Sequence, residues 1–326
     1  MRDTSSVIIL GMLPGLIPSL RRDILIVVVL YRLASSESQS LKALIEIFQA
    51  HPEFAQYFSL IIYDNSPQRN SPEFKINIPF LYKHDPANSG LAAAYNFALG
   101  HAEETQHEWL LLLDQDTLPT QEFIAELIEC TLSLRTQDEV ASIVPKLLVH
   151  GTIYSPAAHF IDQLRYQYRR SNHAVSRDVV GVQQERTGAY NSGATLRVPA
   201  LRYIGGFPTE YWLDYLDHAV FHTLSANRYY MYVMQAEIGH EASQSAVATV
   251  SAVRQHNLLS AQALFVKQTG NFIDRILYRI WLLRYCRILW LRHPDRSLWR
   301  RAAIQALLLK TQEKGTPYDK LGENDP

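Results

Sequence analysis

WLLLLDQDT, residues 109–117, is a short apolar run that ends on two carboxylates. Four successive leucines suit a strand buried on both faces, as in a parallel sheet. Working outward, ILIVVVL (24–30) and SLIIYDNS (59–66) repeat the pattern, and IPFLYKHD (78–85) and VASIVPKLLV (140–149) supply two more strands. Helical spacing fills the gaps. Leu41, Leu44, Ile45 and Phe48 line one face of a helix over 38–50. Leu91, Tyr95 and Ala98 do so over 89–102, with Asn88 as the expected cap, and a further helix is expected over 120–134. This β-α-β-α alternation predicts an α/β fold with an open, mostly parallel sheet flanked by helices. Ligands of such sheets bind at the carboxyl ends of the strands. Those ends carry Tyr31-Arg32, Asp64-Asn65, Asp85 and Asp114-Gln115-Asp116.

The chain of 326 residues is 47% hydrophobic and 19% charged, which excludes disordered and low-complexity classes. Two cysteines, Cys130 and Cys286, make no disulfide framework and suggest a reducing compartment. No run of about 18 uncharged apolar residues predicts a membrane span. Residues 1–22 read as a poorly ordered leader, and 315–326 as a disordered tail. Aromatic and basic residues interleave over 150–200, with Tyr154, Tyr166, Tyr168 and Tyr190 among Arg165, Arg169, Arg170 and Arg186. The net charge of −1 conceals an uneven distribution: residues 271–314 hold ten Arg or Lys against three Asp or Glu.

Asp114 and Asp116, one residue apart at a strand end, can share one divalent cation. Hard oxygen ligands suit Mg²⁺ or Mn²⁺, which take phosphate oxygens as further ligands. The same triplet also suits a plain turn with Asp116 or Thr117 as a helix cap. Asp64-Asn65-Ser66 is either an Asx-type turn or a carboxylate that accepts from a base N–H or a ribose hydroxyl.

Taken together the motifs resemble family-2 glycosyltransferases of the GT-A fold. The matching pieces run in the family's order: IVVVLYR (26–32), LIIYDNS (60–66), NSGLAAAYNFAL (88–99), LLLLDQDT (110–117), NSGATLRVPALRYIGGF (191–207) and YWLDYLD (211–217). The LDYLD form is most similar to rhamnosyltransferases. The resemblance implies a nucleotide-binding GT-A domain over 23–270, followed by a basic helical extension over 271–314.

It also implies roles by position. Tyr31, Arg32, Asp64, Asn88, Gly90, Asn96, Asp114 and Gly193 would bind a nucleotide-diphosphate sugar. Asp114, Asp116 and His240 would hold Mg²⁺ or Mn²⁺. Asp217 would be the base that activates the acceptor hydroxyl, with Asp214 as substitute. Leu30, Arg32 and Leu216 depart from the family's usual residues. The implied reaction inverts the anomeric centre in a single displacement onto a saccharide or polyprenyl-linked acceptor, as a step of cell-surface polysaccharide synthesis. The expected location is cytoplasmic, at most peripheral on the membrane. No nucleic-acid partner is expected. Two readings of 271–314 stay open: contact with an anionic membrane surface, or helices packed on the domain or a second subunit. A nucleotidyltransferase lacks support, since LYRLASSES (30–38) has no glycine-rich phosphate loop. A non-catalytic scaffold of the same fold is the other alternative.

Overall fold

The computed structural model describes residues 23–70, 75–162, 174–184, 187–240, 252–292 and 298–308. The expected leader and tail lie outside these residues, as do Arg165, Tyr166, Tyr168, Arg169, Arg170 and Arg186 and the side chain of His240.

Strand β1 (Ile24–Leu30) is buried along its whole length. Helix α1 (Gln39–Ala50) follows, its N-terminus capped by Ser38. β2 (Phe58–Asp64), β3 (Phe80–His84), α2 (Leu91–Glu104), β4 (Trp109–Asp114), β5 (Thr117–Leu118), α3 (Gln121–Ser133) and β6 (Val140–Val149) complete the first half. Each expected element is present, but Gly90 rather than Asn88 is the N-cap of α2, with no side-chain capping bond. β3 departs from the others in being an edge strand with exposed residues. The strand ends align: Leu30 pairs with Asp64, and Val29 with Asp114. The polar termini therefore share one edge, as the alternation predicts.

The second half adds β7 (Thr152–Ser155), β8 (Ala157–Ala158), β9 (Gly181–Gln183), β10 (Thr187–Gly188) and β11 (Thr195–Arg197). Helices α4 (Val198–Tyr203) and α5 (Leu216–Ala226) and strand β12 (Tyr230–His240) follow. The main sheet runs β3-β2-β1-β4-β11-β6-β12-β5. Its first four strands are mutually parallel, but β11 enters antiparallel between β4 and β6, so the sheet is mixed. β11 is too short to leave a hydrophobic signature in the sequence. Arg197 anchors it. This fully buried guanidinium stacks on Trp109, pairs with Glu108 at 2.6 Å and donates to the carbonyls of Leu134 and Val140. A buried arginine needs such complete pairing to be tolerated.

Alternate residues of β1 point to opposite faces. Ile24, Ile26, Val28 and Leu30 pack with α1 and α3, whereas Leu25, Val27 and Val29 pack with α2 and α5. The latter core continues into α6 (Ala252–Thr269), α7 (Phe272–Arg292) and α8 (Leu298–Leu308). Asp274, Tyr278, Leu282, Cys286 and Leu289 form the buried stripe of α7, at the spacing that keeps residues on one helix face. The basic extension thus packs on the domain. No helix among the described residues is long and apolar enough to cross a membrane.

Candidate active site

An open cavity of about 810 Å³ lies at the carboxyl edge of the sheet. Strand ends form one side, with Tyr31, Asn65, Asp114, Gln115 and Asp116. The loop before α5 forms another, with Trp212, Asp214 and Asp217, and helices α6 and α7 add Arg254, Trp281 and Tyr285.

The strand-end side is tied together by short local bonds. Gln115 accepts from the backbone N–H of Tyr31 at 2.9 Å. Ser192 donates its hydroxyl to the carboxylate of Asp114. Asp114 and Asp116 both line the cavity, so the pair can present hard oxygens to a divalent cation beside a phosphate-bearing ligand. Among the described residues no group of three His, Cys, Asp or Glu forms a metal cluster. The register pairs His240 with Thr117, the residue after Asp116, which brings its backbone to the same turn.

The acidic loop is fastened to the start of α2. Trp212 donates its indole N–H to the carbonyl of Asn88 at 2.9 Å, and its own carbonyl accepts from Leu91 at 2.8 Å. This close approach explains Gly90. Its φ is 90°, and a Cβ there would lie 2.4 Å from the carbonyl oxygen of Trp212. Asn88 and Gly90 do line the cavity, but the space left by the missing side chain holds Trp212. Helix α6 holds the same loop from its other side. Tyr211 donates to Gln268 at 2.6 Å, and Gln262 donates to the hydroxyl of Tyr215 at 2.6 Å.

Both carboxyls of the loop are perturbed. Burial raises Asp214 to about 6, the Arg254 guanidinium at 2.8 Å opposes this, and the charge of Asp217 adds to it. Asp217 sits in the first turn of α5 and accepts from the backbone N–H of His218 at 2.7 Å. Burial raises its pKa as well. His218 and its N–H work against the rise, and the Asp114 charge adds to it. Beneath them the fully buried phenol of Tyr95 is pushed well above 10, first by desolvation and then by the charges of Asp114 and Asp217. The base candidate and the metal-ligand candidate therefore share one electrostatic neighbourhood. A raised carboxyl at a cavity wall suits a proton acceptor working near neutral pH.

Four expected ligand-binding residues lie outside the cavity wall. Asp64 is fully buried. Burial acts to raise its pKa, but bonds from Ser66, Tyr82 and Asn70 outweigh it and hold the carboxyl low. It shapes the loop that presents Asn65. Asn96 clamps Phe207 through two hydrogen bonds, so its partner is protein backbone. Gly193 has a φ of 82°, and a Cβ would meet Ile238 at 2.5 Å, so its role is packing while Asn191 and Ser192 face the cavity. Arg32 is exposed, with its guanidinium 5.2 Å from the ring centre of Tyr31.

Cavity residues given no role from sequence are Asn65, named there only beside Asp64, and Asn191, Ser192, Arg254, Trp281 and Tyr285. Asn65 and Asn191 stand next to motif residues that drew attention instead. Arg254, Trp281 and Tyr285 come from helices whose periodicity reads as plain packing.

The sequence profile of Glycosyl transferase family 2 matches residues 26–178. No curated protein matches the chain. The crystal structure of S. aureus TarS superposes with a TM-score of 0.52 at 14% identity, covering 87% of this chain and 49% of TarS. The structure of S. aureus TarS 1-349 in complex with UDP-GlcNAc gives 0.50 at 14% identity, covering 87% and 81%. GalNAc-T7 with UDP, GalNAc and Mn²⁺ gives 0.53 at 11% identity, covering 82% and 51%. The chain thus spans 49% and 51% of the TarS and GalNAc-T7 chains, and identities this low speak to a common fold.

Proposed function

We propose, from the match of residues 26–178 to the profile of glycosyl transferase family 2, that the chain is a nucleotide-sugar-dependent, inverting glycosyltransferase. One observation carries the reading. Asp114, Asp116 and Asp217 line the same cavity, and burial raises the pKa of the Asp217 carboxyl. The solved complexes of TarS 1-349 with UDP-GlcNAc and of GalNAc-T7 with UDP support a nucleotide-diphosphate donor.

Asp114 and Asp116 would hold Mg²⁺ or Mn²⁺, and His240 is the candidate third ligand. The metal's chemistry is to neutralise the diphosphate of the leaving group. Tyr31 and Asn65 flank the nucleotide end of the cavity. Asp217 takes the proton of the acceptor hydroxyl as its oxygen bonds to the anomeric carbon. The bond from that carbon to the phosphate oxygen breaks, and its electron pair leaves with the nucleoside diphosphate. Attack from the side opposite the leaving group inverts the anomeric centre without a covalent enzyme intermediate. Asp214 is held by Arg254, which leaves Asp217 as the base.

Within this class, the LDYLD sequence (213–217) favours rhamnose as the sugar. The acceptor is a saccharide or polyprenyl-linked saccharide in cell-surface polysaccharide synthesis, on the cytoplasmic side of the membrane. The outward face of α7 supports the lipid-linked form. Phe272, Ile276, Ile280, Leu283 and Trp290 are exposed there, with Arg275 and Arg279 along one side of the stripe and Arg284 along the other. Apolar residues with flanking arginines suit an anionic membrane surface.

Product analysis by NMR tests the mechanism. The account expects inverted anomeric configuration in the product. It also expects a drop of about 10²- to 10⁴-fold in kcat for Asp217→Asn with donor binding retained. A product of retained configuration would sink it.

A further inference from the structure

We infer that the helical end of the cavity is a stacking subsite for the acceptor saccharide, built by the α7 ring ladder that ends at Tyr285 and by the Tyr154–Tyr190 pair, all lining one cavity. The inference rests on the glycosyltransferase reading and adds to it the chemistry that receives the sugar.

The cavity is chemically divided. Its strand-end side is polar and acidic, as metal and phosphate binding requires. Its other side is aromatic. Trp281 and Tyr285 stack with ring centres 5.2 Å apart and planes 10° from parallel, and Tyr278 extends the ladder from the buried side. Tyr154 and Tyr190 stack at 5.4 Å and 8°. His218 links the two halves to the base candidate. It follows Asp217 in the chain, and its ring lies 6.0 Å from Tyr190 and 6.1 Å from Phe160, which in turn meets Trp281 edge-on.

These rings are not simply core. Tyr154 is 40% exposed, and Tyr190, Trp281 and Tyr285 are only half-buried. A pyranose presents slightly positive C–H bonds from one face, and an aromatic ring presents a negative face to receive them; Trp281 lies between Tyr278 and Tyr285, so the faces on offer are the outer ones of Tyr285 and of the Tyr154–Tyr190 pair. Sugar hydroxyls need polar partners at the rim. Asn191 supplies one, since its buried side-chain oxygen accepts no hydrogen bond and the residue lines the cavity. The space also extends beyond a single sugar. A second cavity of about 240 Å³ shares Tyr154, Tyr190 and His218 with the first. An acceptor longer than one residue thus has a path over the tyrosine pair. Trp281 and Tyr285 lie beyond the matched residues 26–178, on the carboxyl-terminal helix α7.

The test uses the full chain with UDP and Mn²⁺ present and a panel of octyl glycosides as probes, followed by saturation-transfer NMR. Saturation should reach the ring C–H protons of at least one glycoside. Tyr154→Ala and Tyr285→Ala should each weaken that binding about three- to tenfold. Tyr285→Phe, which keeps the ring, should restore it, and UDP affinity should stay unchanged throughout. Tyr154 is exposed enough that its variant carries the test if Tyr285→Ala fails to fold. Equal glycoside binding by the alanine variants overturns the inference. So does a wild-type protein that binds UDP but none of the glycosides, which leaves the donor reading intact. Failure to bind UDP at all counts against the glycosyltransferase reading, and the inference falls with it.

Discussion

Asn96 and Phe207 clasp one another across 111 residues of chain. The Asn96 amide donates to the Phe207 carbonyl at 2.7 Å, and the Phe207 N–H donates back to its oxygen at 2.9 Å. Gly206 makes the clasp possible, because a Cβ there would sit 2.6 Å from that amide oxygen. The clasp fixes the turn that leads into the acidic loop. Asn96→Ala should therefore cost about 1–3 kcal/mol, measured by denaturant unfolding, because it leaves buried backbone groups unpaired. Donor affinity should change far less than kcat.

The contact between Gly90 and Trp212 predicts a second effect. Gly90→Ala places a methyl group on the Trp212 carbonyl at a positive φ, and the wall carrying Asp214 and Asp217 must shift. Thermal melting should fall, and the KM for both substrates should rise. Gly100, inside α2 where a Cβ would meet nothing, is the control: Gly100→Ala should leave KM unchanged and should not lower the melting temperature.

Asp214 and Arg254 predict a pH signature. Burial raises Asp214 to about 6, so the folded state holds this proton more tightly than the unfolded chain does. The carboxyl therefore contributes no penalty below about 4. Its penalty grows as pH rises through about 6. Asp214→Asn removes this contribution, and the stability difference between variant and wild type should change across that interval. Arg254→Met removes the opposing charge and should move the midpoint higher. Midpoints near 4 in both proteins would contradict the assignment.

The outward face of α7 predicts membrane contact. Deleting the helix would expose the core around Tyr278 and Leu282, so surface substitutions are the cleaner probe. The double variant Ile276→Ser with Leu283→Ser should reduce pelleting with phosphatidylglycerol vesicles while leaving thermal melting unchanged. Unchanged pelleting defeats the membrane reading. A concentration-dependent change in mass by light scattering would point to a second copy instead.

The strands of the first half were legible because buried parallel strands leave continuous apolar runs, as in 24–30 and 110–113. The antiparallel β11 was not, because three residues carry no periodicity. Motif reading singled out Asp114, Asp116, Asp214 and Asp217, and all four line one cavity. It did not say which residue of a segment faces the cavity. Asp64 is enclosed by its own loop while Asn65 faces out, and Gly193 packs on Ile238 while Ser192 faces out. One-residue differences of this kind depend on loop conformation, which a motif does not encode. Trp281 and Tyr285 fell within the basic helical extension expected over 271–314, since spacing alone does not say which helix face meets a cavity.

A thermal-shift titration with nucleoside diphosphates and their sugars, with and without Mn²⁺, tests the central claim most directly. Occupancy stabilises the folded state in proportion to ligand excess over Kd. The account predicts that at least one nucleotide sugar raises the melting temperature only when Mn²⁺ is present, and that Asp116→Ala abolishes the shift without lowering the melting temperature of the free protein. No shift with any nucleotide or nucleotide sugar, with or without the metal, would contradict it.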